Sequence, residues 1–185
     1  MQHRIFLVPQ RADLPWDIAQ RHWQHQHGKV FAATPGLRTY VQNRPLTEPG
    51  HGRGVVCSET WYETRQAEQA AYASRYYRDV VTPDEAQFLD REGVWSARVT
   101  SGAVASEPTG DYRVLWFGRR PPESAQWSVL QLSRPVPGPG GGAFLYSTWT
   151  DDRGVAIDIA AGSGGLALAC QPVQFPVTRA TEDAS

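Results

Sequence analysis

The chain is poor in cysteine and contains no long apolar run, and each of these scarcities removes a class of function. Cys57 and Cys170 are the two cysteines in 185 residues, too few for a disulfide framework and without the spacing of a zinc pattern. Both lie in apolar, strand-like stretches and read as buried free thiols. No segment approaches the ~20 apolar residues of a membrane helix. Residues 1–9 hold too short an apolar run for a signal peptide and no small-residue cleavage site, so a cytoplasmic protein is expected. Eighteen basic residues against nineteen acidic ones give a formal net charge of −1. Bulk electrostatics therefore favour neither nucleic acid nor a membrane as partner. The basic residues are nearly all arginine, a bias that carries no mechanistic weight.

What the chain does have is hydrophobic content of 41%, with seven tryptophans and seven tyrosines. That suits one compact domain or two small ones packed together. The most informative run is 16–31, where Trp16, Ala19, Trp23, His27 and Val30 share one face at 3.6-residue spacing. The stripe is apolar, so it should be buried, with His27 in its middle; His22 and His25 point elsewhere. A helix over 15–33 is expected, with Asp13 as N-cap, Pro15 in the first turn, and an end before Pro35.

Around this helix the pattern reads as strand (5–8), helix, strand (37–42), strand (55–62), helix (66–79), strand (94–100). A turn-rich loop covers 43–54. Thr82, Pro83 and Glu85 have the form of a capping box opening a short helix to about residue 90. This β-α-β-β-α-β order is the ferredoxin-like split unit. After a linker at 101–110 the order starts again in degenerate form. Residues 113–120 echo the first strand, 142–146 the second and 154–159 the third, with 173–178 as the last. The helices shrink to 125–132 and 165–169. The expected fold is α+β, with a first unit at 1–102 and a degenerate second unit at 111–180. Each unit leaves one sheet face uncovered, and the two together would close an α/β barrel.

The run Trp23-x-x-x-His27-Gly28, followed by Pro35-Gly36-Leu37-x-x-Tyr40-Val41-Gln42-Asn43, resembles the EthD-like family of the dimeric α/β-barrel superfamily. So does Asp84-Glu85-x-x-Phe88-Leu89-Asp90, and the resemblance covers about residues 1–102. It implies a small cofactor-free protein with a hydrophobic cavity between sheet and helices. It also implies chemistry on polyketide or aromatic intermediates, by dehydratases, decarboxylases, cyclases or isomerases. The family histidine falls on His27.

The residues themselves allow two readings at most positions. A buried His27 stays neutral and is competent as a general base or acid near pH 7, or it is a core histidine satisfied by a backbone carbonyl. Arg38, Tyr40 and Gln42 share one face of the second strand. Facing the helix, they could orient a carbonyl or stabilise an enolate; facing elsewhere, they only pair with neighbours. Glu59 shares a face of the third strand with Trp61 and Glu63, and it is either a second catalytic carboxylate or one end of a salt bridge. Trp16, Trp23, Trp61, Tyr72, Tyr76 and Trp95 would line a pocket for a flat or polyene substrate, or simply fill the core.

No metal is expected, since on an α-helix His22 aligns with His25 but not with His27. No haem site is marked. The glycines at 161–165 lack the Lys-Ser/Thr ending of a phosphate loop and read as a turn; 135–142 reads as a linker. The expectation is an enzyme of the lyase or isomerase class. It would act without cofactor on a small hydrophobic, polyketide-like intermediate of secondary metabolism by cyclisation, dehydration or isomerisation. His27, Tyr40 and Glu59 are the catalytic candidates. A non-catalytic carrier of such an intermediate and a cofactor-free monooxygenase are the alternatives, and a homodimer stays open.

Overall fold

Alternation along the strands closes into a barrel. The computed structural model describes residues 1–48, 54–102, 110–118, 127–137, 141–162 and 166–177. Its strands are β1 (Gln2–Pro9), β2 (Leu37–Pro45), β3 (Val55–Tyr62), β4 (Trp95–Ser101), β5 (Tyr112–Phe117), β6 (Ser128–Leu132), β7 (Phe144–Thr150) and β8 (Leu166–Phe175). Neighbours pair antiparallel in the order β4-β1-β3-β2, then β8-β5-β7-β6, which returns to β4. The second set of four repeats the permutation of the first. The fold is the expected α+β barrel of two tandem ferredoxin-like units.

One face of every strand points into the barrel. Ile5, Leu7, Cys57, Leu115, Phe117, Leu145 and Cys170 fill it, all at most 4% exposed. The interior is thus a packed core rather than a channel, with roughly 1.5–3 kcal/mol per large side chain taken out of water. A small-molecule site must form on the outer face, where helices cover the sheet.

Over the first unit lies one helical rod: α1 (Trp16–Arg21), a π-helical stretch (His22–His27) and α2 (Gly28–Ala32). Ala19, Trp23 and His27 are buried along it, as the 3.6-residue stripe requires. Gly28 lets the rod approach the sheet, because a Cβ there would stand 2.1 Å from Phe175 Cζ of β8. Beside it run α3 (Arg65–Ala73), a π-helical turn (Tyr77–Val81), α4 (Thr82–Glu85) and a 3₁₀ turn (Arg91–Gly93). The last helix, α5 (Arg153–Ala161), covers β5 and β8 through Ala156 against Val114 and Ala169. No helix among the described residues is long and apolar enough to cross a membrane.

Several local expectations are corrected. The helix expected over 66–79 starts at Arg65, capped by Thr64 Oγ1 accepting from Ala67 N at 3.1 Å, and breaks at Ser74, whose ψ is 154°. The capping box does not form: Val81 and Thr82 are already helical, continuing from the π-helical turn. Asp13 caps nothing and instead pairs with Arg11. In the second unit residues 128–132 are strand β6, not helix, and β7 takes the place of a third strand, not a second. Residues 154–159 alternate like a strand but form α5. Asp152 Oδ1 accepts from Gly154 N and Val155 N at 2.7 and 3.1 Å, and this cap overrides the alternation. The helix expected over 165–169 is the start of β8, for residues 166–169. Most of the 101–110 linker, and 163–165 of the glycine turn, lie outside the described residues.

Candidate functional site

The site grows from an irregularity in the first helical rod. In an α-helix, side chains five residues apart stand about 140° apart around the axis, so His22 and His27 should diverge. The π-helical stretch widens the turn and brings both rings to one carboxylate. His27 Nδ1 lies 2.7 Å from Asp84 Oδ2 and His22 Nε2 lies 2.8 Å from Asp84 Oδ1. Gln26 Nε2 adds a donor to Oδ1 at 3.3 Å. This corrects the α-helical reading in which His22 points away. Strand β2 supports the irregular backbone: Gln42 Nε2 donates to Trp23 O at 2.7 Å and an Arg44 guanidinium nitrogen to Gln24 O at 2.9 Å.

Asp84 reaches His27 because its segment is pinned to the end of β1. Arg11 N donates to Phe88 O at 3.1 Å and Asp90 N to Pro9 O at 2.9 Å, while Phe88 packs on His27 at 4.9 Å between ring centroids. Burial pushes the Asp84 carboxyl up, but the bonds and charges of His27 and His22 outweigh it and hold it below the usual carboxylate range. An ionised Asp84 accepts from His27 Nδ1–H, which leaves Nε2 as the ring nitrogen free to take a proton.

His27 opens onto a cavity of about 180 Å³ between the helical layer and the outer face of β1, β2 and β3. Trp23, Phe31, Phe6 and Leu89 supply apolar walls, and Tyr40, Ser58, Tyr77, Glu85 and Arg91 the polar ones. Tyr40 is 1% exposed. Its hydroxyl accepts from Gln42 Nε2 at 3.3 Å, which leaves its own O–H to donate; burial pushes its pKa well above the usual phenol value. Tyr77 donates to Glu85 Oε1 at 2.9 Å.

Of the residues singled out from sequence, Trp23, His27 and Tyr40 line this cavity, and Gln42 stands behind two of them. The others are elsewhere. Arg38 is the extra residue of a bulge between Leu37 and Thr39, so it leaves the Tyr40–Gln42 face and pairs with Glu63 at the surface. Glu59 points into the barrel, where it accepts from Asn43 Nδ2 at 2.9 Å, meets His3 Nε2 at 3.0 Å and pairs with Arg113. Burial pushes its carboxyl up, yet Arg113, His3 and Asn43 hold it far below the usual range. This is the salt-bridge reading. Trp61 stacks on His3 at 4.1 Å, and Trp95 belongs to the barrel core with Nε1 donating to Pro135 O at 3.1 Å. Trp16 packs beside Val8 and Trp23, Tyr72 among Tyr62 and Tyr77, and the Tyr76 hydroxyl donates to Val30 O at 2.8 Å.

Asp84, Glu85, Tyr77 and Arg91 were not among the sequence candidates. The signal for the carboxylates was present in Asp84-Glu85-x-x-Phe88, as an acidic pair ahead of an aromatic. Among the described residues no group of three or more His, Cys, Asp or Glu side chains is disposed to hold a metal ion.

The EthD domain matches residues 11–92, which contain His27, Asp84 and most of the cavity wall. A crystal structure of an anthrone oxidase-like protein superposes with a TM-score of 0.56 at 12% identity, covering 94% of this chain and 92% of that one. A putative chlorite dismutase gives a TM-score of 0.48 at 10% identity, covering 94% of this chain and 95% of that one. No curated protein sequence matches the chain. Residues 11–92 are thus similar to the EthD domain, and the chain shares the fold of the anthrone oxidase-like protein.

Proposed function

We propose that the protein is an enzyme that moves protons on a small hydrophobic aromatic or polyketide-like intermediate, in an isomerisation, dehydration or cyclisation. The observation that carries this reading is the buried His27–Asp84 pair at the wall of a cavity with aromatic and polar walls. A carboxylate on Nδ1 fixes the tautomer and stabilises the imidazolium that forms when Nε2 takes a proton. A base so held contributes roughly 10²–10⁴-fold. Tyr40, with Gln42 behind it, would hold the substrate oxygen where charge develops. The anthrone oxidase-like neighbour lends support at the level of fold, since it too pairs this barrel with a named small-molecule chemistry.

The cavity volume of about 180 Å³ is below the ~300–1,000 Å³ of sites that enclose drug-sized ligands. It suits one or two rings of a substrate, with the remainder at the mouth near Arg91. The test is exchange of the C–H protons beside the carbonyl of 1-tetralone, an enolisable two-ring ketone, followed by proton NMR in D₂O. Wild type should accelerate exchange and His27→Ala should abolish the acceleration while still binding the ketone. Binding without exchange by either protein would instead make the protein a carrier.

A further inference from the structure

We propose that Glu85 is the acid of the cavity, a carboxyl that gives a proton to the substrate oxygen while His27 removes one from carbon. This rests on the proton-transfer reading above and names its second catalytic group. Asp84 and Glu85 are adjacent on α4, yet they serve different masters. Asp84 is spent on His22, Gln26 and His27, whereas Glu85 lines the cavity itself. Its side chain is 12% exposed, and the half-exposed Arg91 stands 3.7 Å from Oε2, too far for a hydrogen bond.

The groups that face Glu85 are Tyr77, His27, Arg91, Asp84 and Tyr40. Burial is the largest influence on its carboxyl. The Tyr77 hydroxyl, His27 and Arg91 oppose it, Asp84 adds to it, and the balance lies above the usual carboxylate value. Its neighbour Asp84 is displaced the other way. Two titratable groups pushed apart by their surroundings is the arrangement that separates an acid from the partner of a base.

The C–H electron pair becomes the C=C bond of the enol as the proton passes to His27 Nε2. The carbonyl oxygen takes the Glu85 proton as the C=O bond becomes single. The site is left with an imidazolium and a carboxylate, and one proton passing from the first to the second restores both. The substrate class is an enolisable aryl ketone whose oxygen is held by Tyr40 and protonated by Glu85, both of which line the cavity.

Two measurements test this. Carboxyl ¹³C NMR of glutamate-labelled protein, with Glu85→Gln identifying the resonance, should give Glu85 a midpoint above the ordinary ~4.3. A midpoint at or below that value overturns the proposal. In the 1-tetralone assay Glu85→Gln should lower the exchange rate at least tenfold with ketone affinity unchanged. If His27→Ala abolishes exchange while Glu85→Gln keeps the wild-type rate, the Glu85 assignment falls and the proton-transfer reading stands. If wild type gives no exchange, that reading itself falls.

Discussion

His27 Nδ1 and Asp84 Oδ2 are 2.7 Å apart although 57 residues separate them in the chain. The contact decides which ring nitrogen carries a proton. Asparagine keeps the shape of Asp84 but presents an amide that can donate to Nδ1, which favours the tautomer with the proton on Nε2. Asp84→Asn should therefore lower the 1-tetralone exchange rate on the order of 10²–10⁴-fold with binding retained. An unchanged rate would show that His27 acts without its carboxylate, or not at all.

Much of this site was legible in the sequence, and the missing part has a physical cause. The stripe Ala19-Trp23-His27 has helical period and is buried, and Tyr40 and Gln42 alternate onto the face that meets it. What spacing alone could not show was the π-helical stretch, because a change from 3.6 residues per turn leaves no mark in composition. Without it His22 and His27 diverge, and the carboxylate between them has no reason to be sought. Glu59 misled for a different reason. Strand alternation gives which residues share a face, not which face looks inward, and the partner that settles it, Arg113, lies 54 residues away.

Glu85 and Asp84 should act on stability with opposite sign. A carboxyl raised in the folded state is most favourable to folding below its unfolded value, and that contribution is lost as pH rises through the folded one. Glu85→Gln should thus raise the melting temperature at pH 7, with the gain vanishing below about pH 4. Asp84, Glu59 and Glu68 are lowered, each against a burial effect that its cationic or imidazole partners outweigh. Their contribution is present above about pH 4 and is lost as pH falls through the folded values. Melting curves taken from pH 3 to 8 for wild type and Glu85→Gln check both signs.

Inside the barrel, Glu59 and Arg113 are 1% and 7% exposed at the side chain. Removing one partner leaves the other charged and buried, at a cost of about 3–5 kcal/mol. Glu59→Ala should show this in urea denaturation. The double substitution Glu59→Leu with Arg113→Met should recover most of the loss, since the surrounding Cys57, Leu115 and Cys170 are apolar. A double variant as unstable as the single one would mean that His3 and Asn43 need the ion pair to be satisfied.

Gly28 offers a test of how the first helical rod is seated. A Cβ at this position would stand 2.1 Å from Phe175 Cζ and 2.4 Å from Cε1, closer than any real contact allows. Phe175 cannot simply swing away, because its ring also packs on Tyr40 at 5.5 Å between centroids. Gly28→Ala should therefore destabilise the fold by about 1–3 kcal/mol as an overpacked core does, despite alanine's better helix propensity. The same shift would carry His27, the preceding residue, away from Asp84, so exchange activity should fall in protein that remains folded. Paired with Phe175→Leu, the alanine gains room, and recovery of both stability and exchange in that double variant would tie the position of His27 to the contact between α2 and β8.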